Sequence, residues 1–322
     1  MSSTGNLNLH PSTTSELTSS AYKIYFQNFF RFFFPSLLIY FITFLAFGLY
    51  LIDKVKEFLL TCSFSFSTKA SEQAFGIVSQ NILPILKIYS LFLVFVFLVF
   101  VEKIFISSFY VRFIENKGIG REETLWENLK FTFQHPFIYA VIAAVIVQGV
   151  IQLGAMIGLI ALLLGAFIIG IWLTISLLFV LPVVVIERRG PIKALKRSFN
   201  LVSNYFWNTL LNGIVMTLAL GIPIVIIQTL ISIPLFLDAL NLNGLMELIN
   251  MDSPTTQQVL DFCMDIFKRI EHRYWLYALI MSTAYTLATP LEPIVSTLLY
   301  YNVKSRKILS ETLNTNVSQT EN

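Results

Sequence analysis

Apolar and polar positions fall in long blocks along this chain, not in residue-by-residue alternation. Apolar runs near 20 residues recur between short polar connections, and about 20 such residues cross a bilayer as a helix. The longest run, Pro136 to Ile186, contains no Asp, Glu, Lys or Arg. As one helix at about 1.5 Å per residue it would exceed twice the roughly 30 Å hydrocarbon core. It therefore predicts two spans, over 136–160 and 164–186, turning near Gly158 to Gly165. Further blocks predict spans over 34–52, 83–106, 205–237 and 275–301. Pro223 and Pro234 are expected to kink or end the fifth span. The predicted fold is an all-α integral membrane protein of six transmembrane helices with cytoplasmic amphipathic surface helices. Residues 1–20 and 308–322 read as disordered tails around a six-span domain over 21–307.

Composition removes the soluble alternative. Hydrophobic residues make up 56% of the 322 and charged residues 13%, against about 25% charged in soluble domains. Mean hydropathy is +0.72. The net charge of +3 is too small to argue for nucleic acid. The placement of charge says more. The N-terminal segment, the second and fourth connections and the tail carry fifteen Lys and Arg, and the opposite side carries six. This bias predicts a cell-membrane protein with both termini in the cytoplasm. Residues 1–20 lack a basic start and an apolar core, so the first span is expected to serve as an uncleaved signal.

Each cytoplasmic segment ends in an amphipathic stretch that runs into a span. The clearest begins at Gly190-Pro191, a good cap and first-turn pair. Ile192, Leu195, Phe199, Val202 and Phe206 form its apolar stripe, and Lys193, Lys196, Arg197, Asn200 and Asn204 fill the other face. An interfacial helix fits this pattern. The stretch around Tyr22, Lys23, Tyr25 and Phe29 and that from Arg121 to Pro136 look similar, which suggests a module of surface helix and two-span hairpin used three times. Beyond the fifth span, Ser253-Pro254 starts a predicted outer-surface helix with Val259, Phe262, Ile266 and Ile270 on one face.

The stretch from Leu181 to Leu210 resembles a motif of the glycerophosphoryl diester phosphodiesterase membrane-domain family, prokaryotic multi-pass proteins with many uncharacterised stand-alone relatives. The matching residues are Pro182, Glu187, Gly190, Pro191, Ala194, Leu195, Lys196, Arg197, Ser198 and Trp207. The ending Thr297 to Lys307 is also similar, although Asn302 stands where the family commonly has aspartate. The resemblance implies a six-span helical fold. It implies no phosphodiesterase activity, because His10, His135 and His272 are isolated and the barrel's acid set is missing.

Candidate chemistry is sparse. Glu292, between Pro290 and Pro293, sits inside the sixth predicted span, where a carboxylate is costly and usually faces a cavity or a partner. Lys87 is either that partner or a snorkelling residue at the end of its span. Arg188, Arg189, Lys193, Lys196 and Arg197 form a basic cluster suited to anionic lipid headgroups or to enforcing topology. Cys62 and Cys263 both fall in outside connections, where a disulfide is chemically permitted. No phosphate-binding glycine loop, metal-ligand spacing or nucleophile elbow is present. The expectation is therefore a non-catalytic, lipid-associated membrane protein with no cofactor, no nucleic-acid partner and no predicted catalytic or metal residues. Its rivals are a small transporter or channel subunit using Glu292 and an intramembrane lipid-modifying enzyme built near Glu187.

Overall fold

A computed structural model describes residues 12–68, 82–121, 123–134, 136–160, 163–240, 242–251 and 255–320. These residues form thirteen helices and no strand. In order they are α1 (Thr14–Gln27), α2 (Phe29–Thr68), α3 (Ile82–Gly118), α4 (Leu125–Gln134), α5 (Pro136–Ile160), α6 (Leu163–Ser176), α7 (Val180–Ile186), α8 (Pro191–Val202), α9 (Phe206–Leu240), α10 (Leu242–Ile249), α11 (Thr256–His272), α12 (Tyr274–Ala288) and α13 (Leu291–Thr320).

Among the described residues, five helical segments are long and apolar enough to cross a membrane: Phe29–Phe58, Leu83–Gly118, Pro136–Leu159, Gly165–Ile186 and Phe206–Leu235. Their large apolar side chains stay exposed along α3 and α9, as expected of a membrane protein whose solvent there is lipid. The sixth predicted segment is two helices. Thr289 and Pro290 form a turn between α12 and α13. Pro290 cannot donate a helical hydrogen bond and disfavours helical geometry in the residue before it. The fifth segment keeps its helix through both Pro223 and Pro234.

The tails differ from expectation. A capping box at Thr13 and Glu16 starts α1 at Thr14, and Leu17 is buried, so order begins well before residue 21. At the other end α13 continues to Thr320. No glycine or proline interrupts the sequence after Pro293, so nothing local stops that helix. The predicted helix start at Ser253-Pro254 lies outside the described residues; α11 is capped by Thr255 and Gln258.

The chain divides into two units, each described by itself. Unit 1 holds Met1–Phe32, Lys103–Pro223 and Ala288–Asn322. Here α5 and α6 form a close hairpin, α7 and α8 pack on α5, and α13 touches α1, α7 and α8. The hairpin closes because Gly158 and Gly165 meet: a methyl group on Gly158 would fall 2.5 Å from the Ala166 Cα. Tyr110, Phe179, Leu201, Leu299 and Tyr300 fill the core. Phe32 and Tyr110 pack edge to face at 4.5 Å, and the Tyr110 hydroxyl donates to the Phe32 carbonyl at 3.2 Å.

Unit 2 holds Phe33–Glu102 and Ile224–Leu287. Gln228 donates to the Ala284 carbonyl and Tyr277 to the Leu235 carbonyl at 3.4 Å, so the second half of α9 runs antiparallel to α12. Gly48 leaves room for the Tyr274 hydroxyl, which donates to the Phe44 carbonyl. Lys56 pairs with Glu271 at 2.6 Å.

Candidate functional site

A dense polar arrangement in unit 1 forms where α7 ends and α8 begins. Five of the seven α7 residues, Val180 and Pro182 to Val185, are buried, which anchors the helix and delivers Glu187 to its end. Arg188 then takes a positive φ of 52°, an uncommon conformation for a residue with a side chain. Gly190 caps α8 with Pro191 in its first turn.

Glu187 is nearly enclosed, its side chain 10% exposed. Its Oε1 accepts from the Tyr300 hydroxyl at 2.8 Å and from Arg197 Nε at 3.2 Å. Arg189 Nε lies 2.6 Å from Oε2 as an ion pair without hydrogen-bond alignment. Burial pushes the carboxyl pKa up, but the Tyr300 hydrogen bond and the Arg197 and Arg189 charges outweigh it, and the net shift is downward. Glu187 is thus a fixed anion that holds two arginines and α13 together. Lys304 Nζ donates to the Tyr300 hydroxyl at 3.1 Å from the other side.

Ser198 closes the break between α6 and α7. Its hydroxyl donates to the Ser176 carbonyl at 2.8 Å and accepts from Phe179 N at 3.2 Å. Helix ends leave such groups without partners, and one side chain serves both.

The basic cluster therefore splits. Arg189 and Arg197 belong to Glu187. Arg188 lies over the Phe131 ring at 5.1 Å, within cation–π range. Lys193 and Lys196 are exposed and have no acidic partner among the described residues. The packed face of α8 is Ala194, Ser198, Leu201 and Val202. Of the expected membrane-facing stripe, Ile192 and Phe199 are exposed, whereas Val202 is buried.

Sequence reasoning missed a second network. Arg112 is buried and bonds Glu115 and Glu123, each at 2.8 Å. Asn116 also donates to Glu123. The Arg112 guanidinium stacks 4.1 Å from the centre of Phe131, so one ring meets two arginines. The spacing of Arg112 and Glu115 was the available local signal; Phe131 and Glu123 had none. Asn302 accepts from Ser12 N at 2.9 Å, and Arg306 donates to the Ser12 carbonyl at 3.2 Å. Asn302 thus ties the start of α1 to α13.

Glu292 is paired with Lys103 at 2.7 Å, with the two side chains 60% and 45% exposed. Lys87 lies sixteen residues earlier on α3, about 24 Å along a helix, beside Tyr50, Lys54 and Glu57. Cys263 carries a free thiol; the Cys62 side chain lies outside the described residues. Among the described residues no group of three or more His, Cys, Asp or Glu is placed to hold a metal.

Residues 122–266 match a domain family of unknown function, DUF7847. That region takes in α4 through α10, including the whole Glu187 site except Tyr300 and Lys304. No curated protein and no solved structure matches the chain.

Proposed function

We propose that this chain is a non-catalytic, multi-pass protein of the cell membrane. It crosses the bilayer six times with both termini in the cytoplasm, and α8 lies in the inner-leaflet interface, where it holds anionic phospholipid headgroups. The carrying observation is the state of α8. Lys193 and Lys196 are exposed and have no acidic partner among the described residues, on the same helix as exposed Ile192 and Phe199. In water such apolar exposure is unfavourable; at a bilayer surface the aromatic enters the acyl boundary and each lysine gains about 1 kcal/mol from anionic lipid.

Two features support the topology. The first is the set of five apolar segments. The second is the tie between Ser12 and Asn302, which favours a return crossing by α12 and the start of α13 after α9. Glu187 supports the lipid reading indirectly, because it takes up two arginines of the basic cluster and leaves Lys193 and Lys196 without an acidic partner among the described residues.

The test is native mass spectrometry of the full chain in detergent, titrated with phosphatidylglycerol or phosphatidylcholine. The expected result is preferential retention of phosphatidylglycerol, reduced severalfold in a Lys193→Gln/Lys196→Gln variant. Equal retention of both lipids by the unsubstituted protein would overturn the reading.

A further inference from the structure

Three helices of unit 1 share one pattern of residues and of burial. In α1 the residues are Lys23-Ile24-Tyr25-Phe26-Gln27, in α4 Lys130-Phe131-Thr132-Phe133-Gln134, and in α8 Lys196-Arg197-Ser198-Phe199-Asn200. Lysine, phenylalanine and amide recur at the same spacing, Lys-X-X-Phe-(Gln/Asn). All nine of those side chains are exposed. The phenylalanines are 59%, 62% and 41% exposed.

The inner faces agree as well. Two residues before each lysine lies a buried residue: Ala21, Asn128 or Ala194. Two residues after it lies another: Tyr25, Thr132 or Ser198. On a helix, positions three apart share a face, whereas positions two apart lie about 200° round. Each helix therefore packs on the side of these residues, joined in α1 by Leu17 and Ile24 and in α8 by Leu201 and Val202, and turns Lys and Phe outward together. The caps of α4 and α8 also correspond. Thr124, which caps α4 with Glu127, and Gly190 each precede the lysine by six residues. α1 begins one turn earlier, at the Thr13 cap.

Contacts join these helices within the unit. α13 touches α1 and α8, and α5 touches α4 and α8. Between α1 and α4 lie two of the apolar segments, and between α4 and α8 lie two more. An even number of crossings returns the chain to the same side each time. None of the three lysines has an acidic partner among the described residues.

We infer that α1, α4 and α8 are three copies of one membrane-docking helix, in which Lys23, Lys130 and Lys196 each take an anionic phospholipid headgroup while Phe26, Phe133 and Phe199 enter the acyl boundary of the same leaflet. The inference rests on the lipid reading of α8 and extends it to two helices with no excess of basic residues. Charge alone would not select α1 or α4, since Glu16 and Glu127 balance their lysines; the repeated register does. The aromatic beside each lysine favours a lipid over a free phosphate, because a soluble anion leaves the phenylalanine in water.

Two readouts test it on the full chain. First, nitroxide labels are placed singly at Phe26→Cys, Phe133→Cys and Phe199→Cys in a Cys62→Ser/Cys263→Ser background. They are measured by power saturation in vesicles of phosphatidylglycerol and phosphatidylcholine. The expected result is one common depth below the headgroups. Second, Lys23→Gln, Lys130→Gln and Lys196→Gln are titrated with phosphatidylglycerol. Each is expected to weaken binding about five-fold, the equivalent of about 1 kcal/mol per basic side chain at an anionic surface. Water-exposed labels at 26 and 133, with only Lys196→Gln impaired, would overturn the triplication and leave α8 as a single docking helix. No loss in any variant, with inorganic phosphate competing as well as lipid, would overturn both.

Discussion

Tyr300 donates a hydrogen bond to Glu187 at 2.8 Å across 113 positions of chain. This bond joins the end of α7 to α13 at the helix break after Ile186. Arg197 and Arg189 complete the set around the carboxylate.

Replacing Glu187 by Gln is expected to lower stability by about 2 kcal/mol, within the range for removing an ionised partner from buried hydrogen bonds. Tyr300→Phe is expected to cost about half as much. The two losses should be non-additive, because both variants break the same bond. Thermal unfolding in detergent of the single and double variants checks this; additive losses would mean that the bond carries no coupling.

The Glu187 carboxyl is shifted below its ordinary value. Its contribution is therefore complete above the unfolded glutamate pKa, about 4.3. It is lost as pH falls from there through the lower folded value. The wild-type protein should lose melting temperature on acidification below that point by more than Glu187→Gln does. Parallel pH curves for the two proteins would contradict the assignment.

Ser198→Ala removes a hydroxyl that serves both the Ser176 carbonyl and the Phe179 amide. Leaving buried backbone groups without partners costs about 1–3 kcal/mol. The same unfolding measurement should show this loss, and Ser198→Thr, which keeps a hydroxyl, should recover part of it.

Within one hairpin, two glycines should behave oppositely. Gly158→Ala places a methyl on the backbone of Ala166, whereas a methyl on Gly170 meets nothing within 4 Å. Gly158→Ala should lose about 1–3 kcal/mol as the helices are forced apart. Gly170→Ala should be neutral or gain up to about 1 kcal/mol from helix propensity.

The apolar blocks made the long helices legible, because hydropathy and length depend only on local sequence. The break at Thr289-Pro290 shows the limit: the block from Trp275 to Tyr301 has the composition of one span, and its proline divides it. On α8 the difficulty was different. Ile192, Phe199 and Val202 read as one membrane-facing stripe; Ile192 and Phe199 are exposed, yet Val202 is buried with Ala194 and Ser198. Where lipid is the alternative to protein, apolarity no longer separates inside from outside, and small residues mark the packed side. Glu187 was visible as a motif residue and a possible partner of the basic cluster. Tyr300 was not, since nothing local predicts a contact between α7 and α13. The expected weight on Glu292 came from its position in the block, and its partner Lys103 emerged only from the fold.

The central claim, that the outward face of α8 meets the acyl layer beside anionic headgroups, is tested most directly by a photocrosslinking residue in place of Phe199. The full chain would be irradiated in vesicles containing labelled phosphatidylglycerol. The expected result is a covalent phosphatidylglycerol adduct at position 199 whose yield falls in the Lys193→Gln/Lys196→Gln background. Adducts to protein alone, or a lipid yield unchanged by removing both lysines, would contradict it.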